Sequence, residues 1–300
     1  MLRVISDEDR HQLGWLLVPF GQPGSGRIRY GAAMYFNRAG LLSDAALEVF
    51  RVVSPNDAED PRRLLTERGL GWELPDEADL RALVAPDHAI RTLVDAAGTY
   101  LRTLPGPGIA AVLAGLARWR RGPVTVAGAL ANPVVDTNLP GALAALRLTH
   151  PALANAIASA WPHLAWVSYD AYPADLIGPD FPRAHAFASL IDADAAIPAV
   201  DFDIGLFLIA PHVLYRDHCH AAPELYAPLT GPHGWRFGPD RPLILKPAHQ
   251  PVWNPSYLPH LTKVGAVPFL CFYAWTRDVT APAQVVPASD WSDLEAMRLP

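Results

Sequence analysis

Histidines are concentrated in one part of this 300-residue chain, where six of the eleven lie between positions 212 and 260. His218 and His220 are separated by one residue, and Glu224 follows four residues after His220. Alternate residues of a β-strand share a face, so both imidazoles point one way and Cys219 points the other. A lone His-x-His pair is more often a core or surface feature than a ligand pair. The added carboxylate makes a site for a divalent transition metal the favoured interpretation.

The spacing continues to Gly231 and reads H-x-H-x-x-x-E-x-x-x-x-x-x-G, which resembles the first sequence motif of the cupin superfamily. The second cupin motif is matched in part, because Pro255 and His260 have the expected separation while Tyr257 stands where glycine is usual. We expect His260 to be the fourth ligand. His249 is the competing histidine, either as a partner of a ligand or as a partly exposed loop residue. The ligand set fits zinc, iron, manganese or nickel equally.

Residues 200–276, about a quarter of the chain, are similar to the cupin-type dimethylsulfoniopropionate (DMSP) lyases. The family has a tyrosine before the histidines, E-L-Y after them, a proline-histidine ligand and a strand ending in Tyr-x-Trp. The corresponding residues here are Tyr215, Glu224-Leu225-Tyr226, Pro259-His260 and Tyr273-Ala274-Trp275. The motifs are specific for fold and metal site and less specific for substrate.

The resemblance implies a metal-dependent carbon–sulfur lyase that converts DMSP, a small zwitterion, to dimethyl sulfide and acrylate. In this chemistry the metal binds the substrate carboxylate and a tyrosine removes the neighbouring proton. Tyr226 matches the family base, and two-residue spacing puts it on the same strand face as Glu224. Tyr215 is the second candidate. It lies three residues before His218 and needs a bulge near Arg216-Asp217 to face the same cavity.

Aromatic faces suit the sulfonium group, which is a cation that cannot donate a hydrogen bond. The C-terminal part of the chain is rich in candidates, and barrel interiors are filled with aromatic residues in any case. We expect two or three of the following to touch the ligand: Trp235, Phe237, Trp253, Tyr257, Phe269, Phe272, Tyr273 and Trp275.

The elements that position these residues change character near residue 200. We predict an α+β protein in which a mainly helical region, residues 1–170, precedes a cupin barrel (double-stranded β-helix or jelly roll) at 171–300. Helices are expected after Ser43 at 44–53, after a capping box at Pro75–Asp79, and at 87–104, 109–119 and 142–160, with a loop at 122–140. Pro151 could introduce a kink into the last of these helices. Short strands are expected from Asp203 onward, and residues 170–202 are predicted to be a connection that could add an edge strand.

Composition excludes several classes of function. The net charge is −6, so nucleic acid is not expected as a partner. The chain has only two cysteines, which indicates a reducing cytoplasm rather than a disulfide-stabilised secreted fold. Its acidic first ten residues predict no signal peptide, and no stretch is suited to span a membrane. The helical half could be a lid, a packing partner or a homodimer surface.

Two other functions remain open at this stage. An iron(II) cupin dioxygenase would use the same ligand set, and oxygen consumption would identify it. A non-enzymatic cupin that binds a small ligand as a sensor would need a basic DNA-binding helix. The only basic run is Arg118-Trp119-Arg120-Arg121, which is typical of a solvated helix C-terminus.

Overall fold

A computed structural model of the chain describes residues 7–38, 42–70, 86–127, 131–169, 172–239 and 241–300. Contacts within the chain define two units, Met1–Ala85 and Pro86–Pro300. This division does not test the predicted change from helices to strands near residue 200. As a domain boundary, 170/171 stays a prediction. Among the described residues, no helix is both long enough and apolar enough to cross a bilayer.

The first unit contains four helices. They are α1 (Asp7–Leu16), α2 (Ser25–Arg38), α3 (Asp44–Val53) and α4 (Pro61–Glu67). Consecutive helices pack together around a small apolar core that includes Phe36, Phe50 and Leu65. Ser43 caps α3 as predicted, since its hydroxyl accepts the backbone N–H of Ala46 at 3.1 Å. The predicted capping box at Pro75–Asp79 lies outside the described residues.

The second unit begins with a group of helices and contains three short ones farther along. They are α5 (Pro86–Leu101), α6 (Ile109–Trp119), α7 (Pro133–Arg147), α8 (Pro151–Ala160), α9 (Ala174–Ile177), α10 (Phe181–Ala184) and α11 (Trp291–Ala296). A single 3₁₀ turn, Trp161–His163, follows α8. The bounds of α6 agree with the prediction. The predicted apolar stripe of α5 is buried from Ile90 to Leu101, and Leu104 falls beyond the end of the helix.

The predicted loop at 122–140 is wrong in its second half, because α7 begins at Pro133. The Asn132 side chain accepts the N–H groups of Val134 and Val135 and caps the helix, and proline is well tolerated in the first turn. Pro140 lies inside α7 and does not end it. The predicted helix 142–160 is in fact two helices, since α8 starts afresh at Pro151.

Eleven strands follow within the described residues, and they form two sheets. The strands are β1 (His185–Asp192), β2 (Ile197–Pro198), β3 (Asp203–Ile209), β4 (Leu214–Cys219), β5 (Glu224–Pro228), β6 (His233–Arg236), β7 (Ile244–Lys246), β8 (Val252–Asn254), β9 (His260–Lys263), β10 (Phe269–Trp275) and β11 (Gln284–Val285). One sheet has the order β2-β1-β3-β10-β5-β8, and the other has the order β11-β4-β9-β6-β7. The predicted short strands from Asp203 onward are confirmed.

The two sheets share one apolar core, which defines the inside of the sandwich. Phe207 and Tyr226 come from the six-stranded sheet, while Tyr215 and Trp235 come from the five-stranded sheet, and all four belong to a single buried cluster. No ladder of hydrogen bonds joins the sheets within the described residues, so the strands form a sandwich and not a closed barrel. Helix α7 packs against β1, β3 and β10.

Strand β1 is the main element that was not predicted as a full strand from the sequence. Residues 170–202 were expected to be a connection with at most an edge strand, yet β1 pairs along its length with β3 and is covered beyond by β2. Its sequence, His-Ala-Phe-Ala-Ser-Leu-Ile-Asp, mixes small and large apolar residues without clean alternation. None of its residues is exposed, so both faces are at least partly covered, and such a strand lacks the period-2 signal by which a half-buried strand is recognised.

The outer side of the five-stranded sheet is held by a buried ion pair. Arg236 on β6 donates Nε–H to Asp217 on β4 at 3.1 Å and also pairs with it through Nη2. The Trp291 indole N–H donates to the same carboxylate at 2.9 Å, and Asp290 pairs with Arg236 at 2.5 Å. Asp217 and Arg236 are both almost fully buried. Because Asp217 precedes His218, this network fixes the strand that carries the histidines.

Replacing Arg236 by methionine should destabilise the protein by about 3–5 kcal/mol, because it leaves the Asp217 carboxylate buried without its charge partner. Chemical denaturation, monitored by tryptophan fluorescence, measures this loss. The matched control is the double variant Asp217→Asn/Arg236→Met, which removes both charges and keeps an acceptor for Trp291. It should be more stable than the single variant. A single variant within about 1 kcal/mol of wild type would show that the pair is dispensable.

Candidate metal centre

The predicted ligands come together between the two sheets. His218 near the end of β4 lies directly opposite His260, the first residue of β9, in the five-stranded sheet. His220 follows the end of β4, and Glu224 begins β5 in the other sheet. The centre is therefore built by three strands and spans the gap between the sheets.

The distances are short and the side chains are buried. Ring nitrogens of His218, His220 and His260 all lie within 4.8 Å of one another. Glu224 Oε2 lies 3.4 Å from His220 Nε2 and 3.2 Å from His260 Nε2. None of the four residues is more than 3% exposed. The structure thus brings together all four residues that the sequence analysis selected as ligands.

Backbone carbonyls determine which nitrogen of each ring is free. His218 Nδ1 lies 2.8 Å from the carbonyl oxygen of Arg216, His220 Nδ1 lies 2.7 Å from that of Ala222, and His260 Nδ1 lies 2.9 Å from that of Leu258. A carbonyl oxygen only accepts, so each Nδ1 carries the proton and each Nε2 keeps its lone pair.

The three Nε2 atoms are buried and have no hydrogen-bond partner. Buried polar atoms are rarely left without a partner. Three converging nitrogen lone pairs are suited to bind a Lewis acid such as a metal ion. The pattern of Nδ1–H to carbonyl and Nε2 to metal is the usual arrangement of histidine ligands. The donor set therefore fits a divalent transition metal, with His218, His220 and His260 as nitrogen donors and Glu224 as the oxygen donor.

Glu224 is held in place by two donors. The Trp275 indole N–H donates to Oε1 at 2.8 Å, and the Asn254 side-chain amide donates to Oε2 at 3.1 Å. Asn254 and Trp275 lie opposite Glu224 on the two neighbouring strands, β8 and β10. Three adjacent strands thus fix the orientation of the carboxylate.

The centre strongly perturbs its own ionisable groups. Burial lowers the pKa of His218 well below its ordinary value, and neighbouring His260 and His220 lower it further. Burial opposes ionisation of Glu224, but the adjacent His220 and His260 hold its pKa well below the usual range. For His220, burial is outweighed by Glu224, so its pKa is raised. A cation held by the Nε2 atoms would compete with a proton for His220 and would pair with the ionised Glu224 carboxylate in its place.

A cavity of about 220 Å³ adjoins the centre. Water occupies about 30 Å³ per molecule, so this space suits a small organic molecule. Nine of the fourteen described residues that line it are Phe, Tyr or Trp. Glu224, Tyr226 and Tyr215 are also among them, which places both predicted tyrosines beside the centre.

Tyr215 reaches the cavity by the means that the sequence analysis required. The register of β4 against β9 shifts between Tyr215 and His218, which is a bulge at Arg216-Asp217. The Tyr215 ring stacks on His218 with centroids 3.8 Å apart, and its hydroxyl is hydrogen-bonded to that of Tyr172. Burial raises the pKa of Tyr215 well above its ordinary value, and the Tyr172 neighbour adds to this.

Tyr226 lies on the same strand face as Glu224, two residues along β5, and is 3% exposed. Its ring centroid is 6.3 Å from that of His260. Burial raises the pKa of Tyr226 well above its ordinary value, and the negative charge of Glu224 raises it further. Both tyrosines are phenols in the absence of a nearby cation.

His249 is not part of the centre. Its Nδ1 is 2.9 Å from the Tyr100 hydroxyl and its Nε2 is 3.1 Å from Thr149 Oγ1, so it packs against the helices.

Tyr257 adopts the left-handed conformation that glycine would supply in the second cupin motif, with φ of 58°. Its backbone N–H donates a hydrogen bond to the carbonyl oxygen of His220. The turn that sets His260 is thus retained despite the substitution.

Three residues around the site were not predicted from the sequence. Tyr172 lies in the segment predicted as a connection, and Asn254 lies in a three-residue strand that was not recognised. Asp203 was noted only as the start of the β region. A usable signal existed for Asp203, since it shares a strand face with the core residues Phe207 and Ile209.

Comparison with known proteins supports the fold and matches part of the chain to one family. A family profile described as dimethylsulfoniopropionate lyase matches residues 126–271. A chain from the crystal structures of the DMSP lyases RdDddP and RnDddQII is 20% identical, with coverage of 68% of this chain and 100% of that chain and a TM-score of 0.51. The DMSP lyase DddQ from Ruegeria pomeroyi DSS-3 is also 20% identical, with coverage of 67% and 97% and a TM-score of 0.48. No curated protein matches the sequence significantly.

The predicted fold class, a cupin-type β region preceded by helices, is confirmed. Residues 126–271 match the profile of the dimethylsulfoniopropionate lyase family, which confirms the resemblance seen in the sequence.

Replacing His220 by alanine should weaken zinc binding at least about 100-fold, because one of four converging donors is lost. Equilibrium dialysis followed by elemental analysis measures this. The matched control is His249→Ala, which removes a histidine of the same unit outside the centre and should keep one metal per chain. Equal metal content in the two variants would mean that His220 is not a ligand.

Proposed function

We propose that this protein is a metal-dependent carbon–sulfur lyase that cleaves DMSP to dimethyl sulfide and acrylate. The observation that carries the proposal is the convergence of three unpartnered histidine nitrogens and Glu224 at one end of an aromatic cavity that holds two tyrosines. The family match supports the reaction class. Zinc, iron, manganese and nickel all remain suitable ions for this donor set.

The metal ligands and the aromatic walls would bind different parts of the substrate. His218, His220, His260 and Glu224 would hold the ion, and the substrate carboxylate would lie at this end of the cavity. When bound, a divalent ion supplies a Lewis acid for that carboxylate and favours the phenolate form of an adjacent tyrosine. The aromatic walls exclude water from the tail of the substrate.

Tyr226 is the proposed general base. Its phenolate oxygen would take the proton from the carbon next to the carboxylate. The electron pair left on that carbon forms the C=C bond of acrylate as the C–S bond breaks. The bonding pair of the C–S bond leaves with sulfur, which turns the sulfonium into neutral dimethyl sulfide. Tyr226 is supported by its place beside Glu224 on β5 and by its contact with the cavity.

Tyr215 is proposed as the second tyrosine of the reaction. Its hydroxyl already bonds Tyr172, and its ring stacks on His218. These contacts suit a residue that orients the substrate and the histidine.

The cytoplasm is the proposed location, in keeping with the two free cysteines, and homodimer formation stays a prediction.

The primary test is incubation of purified, metal-loaded protein with DMSP, followed by gas chromatography for dimethyl sulfide and quantification of acrylate. Equimolar formation of the two products is expected. Oxygen consumption in the same samples should be absent. Oxygen uptake without dimethyl sulfide would contradict the lyase proposal and favour the dioxygenase.

Replacing Tyr226 by phenylalanine keeps the ring and removes the ionisable oxygen. The elimination rate should fall at least about 100-fold, the lower end for loss of a general base, while the metal content stays unchanged. Tyr215→Phe is the matched comparison, because it makes the same chemical change on the opposite wall and should retain more activity. A Tyr226→Phe enzyme at near wild-type rate, together with an inactive Tyr215→Phe enzyme, would reverse the two roles.

A further inference from the structure

The cavity contains a second carboxyl group that the proposed reaction does not use. Of the fourteen described residues that line the cavity, two are acidic, Glu224 and Asp203, and none is arginine or lysine. His185 also lines it, but burial lowers its pKa to about 4, so it is neutral. Among these lining residues no positive charge opposes a cation, and Asp203 is the acidic group that can pair with one in the part of the cavity away from the metal centre.

Strand pairing places the two carboxyl groups at a defined separation. Glu224 on β5 lies opposite Trp275 on β10, and Trp275 lies opposite Asp203 on β3. Two strand spacings separate them, which is about 9.5 Å between backbones. Trp275 lies on the strand between them, lines the cavity and donates its indole N–H to Glu224. A ligand held at Glu224 by one end would extend along this ring toward Asp203.

The Asp203 carboxyl is oriented by a hydroxyl network. The Tyr273 hydroxyl lies 3.2 and 3.1 Å from the two oxygens of Asp203, and Ser189 Oγ is 2.7 Å from the same hydroxyl. Gly205 makes room for the Tyr273 ring, since a Cβ there would come within 2.8 Å of it. Burial raises the pKa of Asp203 to about 8, and a bound cation would stabilise its ionised form.

We propose that Asp203 is the counter-ion that recognises the cationic end of the substrate, with Tyr273 positioning its carboxyl group. The proposal rests on the proposed function and adds to it the residue that selects a sulfonium or quaternary ammonium tail over a neutral one. Two methylenes separate the carboxylate from the sulfonium, a span of roughly 4 Å that fits between the metal centre and Asp203. Tyr273 and Trp275 supply the aromatic faces that such a cation prefers.

The charges of the complex balance under this assignment. At the metal end, a divalent ion would be matched by Glu224 and the substrate carboxylate. At the other end, Asp203 would match the single positive charge of the tail. Without Asp203 the tail would enter a water-poor space with no anion beside it, which is costly.

The test compares two ligands of the same shape that differ in one charge. One is 3-(trimethylammonio)propanoate, which has a cationic tail, and the other is 4,4-dimethylpentanoate, in which carbon replaces nitrogen. Isothermal titration calorimetry with zinc-loaded protein gives the Kd of each. Wild type should bind the ligand with the cationic tail more tightly. In Asp203→Asn this preference should fall at least about tenfold, while the Kd for the ligand with the uncharged tail stays within about twofold.

The matched control is Asp192→Asn, which removes a neighbouring negative charge that acts on Asp203 but does not line the cavity. Its preference for the cationic tail should be at least as strong as that of wild type, because removing this charge lowers the pKa of Asp203 and favours its ionised form. An unchanged preference in Asp203→Asn with full metal content would overturn the proposal. Tighter binding of the ligand with the uncharged tail by wild type would also overturn it, and this result does not depend on the folding of any variant.

The dimethyl sulfide assay is independent of these titrations. A charge-dependent preference in a protein that releases no dimethyl sulfide would leave the cation site standing and reject the lyase. Release of dimethyl sulfide, together with a ligand preference that Asp203→Asn does not change, would support the lyase and reject the cation site.

Discussion

The site depends on three hydrogen bonds from histidine Nδ1 atoms to backbone carbonyls. Each bond commits the proton to Nδ1, so the lone pairs of His218, His220 and His260 face one point in the interior. Leaving three such atoms buried and unpartnered is costly, at about 1–3 kcal/mol each. A bound divalent ion would remove that cost, so metal binding would increase the stability of the sandwich.

The rest of the fold serves this arrangement. The bulge in β4 turns Tyr215 inward and lets it stack on His218, while the Asp217–Arg236 pair on the opposite side of the strand anchors the same segment. The sheets meet at Glu224, which β8 and β10 orient through Asn254 and Trp275. The resulting cavity has a polar end at the metal centre, aromatic walls and a carboxyl at Asp203. Such a gradient suits a zwitterion better than a neutral or anionic molecule.

Residues with a local pattern were predictable from the sequence. His218, His220, Glu224 and His260 follow a motif whose spacing reflects strand alternation and one turn, and the need for a bulge before His218 follows from the same count. Non-local contacts were not predictable. The hydroxyl contact of Tyr172 with Tyr215 depends on how a segment 43 residues away folds back. Helix α7 was missed because Pro133, which suits its first turn, and Pro140 inside it were interpreted as loop residues. Strand β1 was missed because none of its residues is exposed and its sequence lacks a clean alternation of polar and apolar residues.

The most direct test of the central claim is anomalous diffraction from crystals of the zinc-loaded protein, recorded on both sides of the zinc absorption edge. The structure predicts one strong site per chain, about 2.0–2.2 Å from Nε2 of His218, His220 and His260 and bonded to a carboxylate oxygen of Glu224. A zinc site elsewhere, such as beside His150 and His249, with no density between the three Nε2 atoms, would contradict the account.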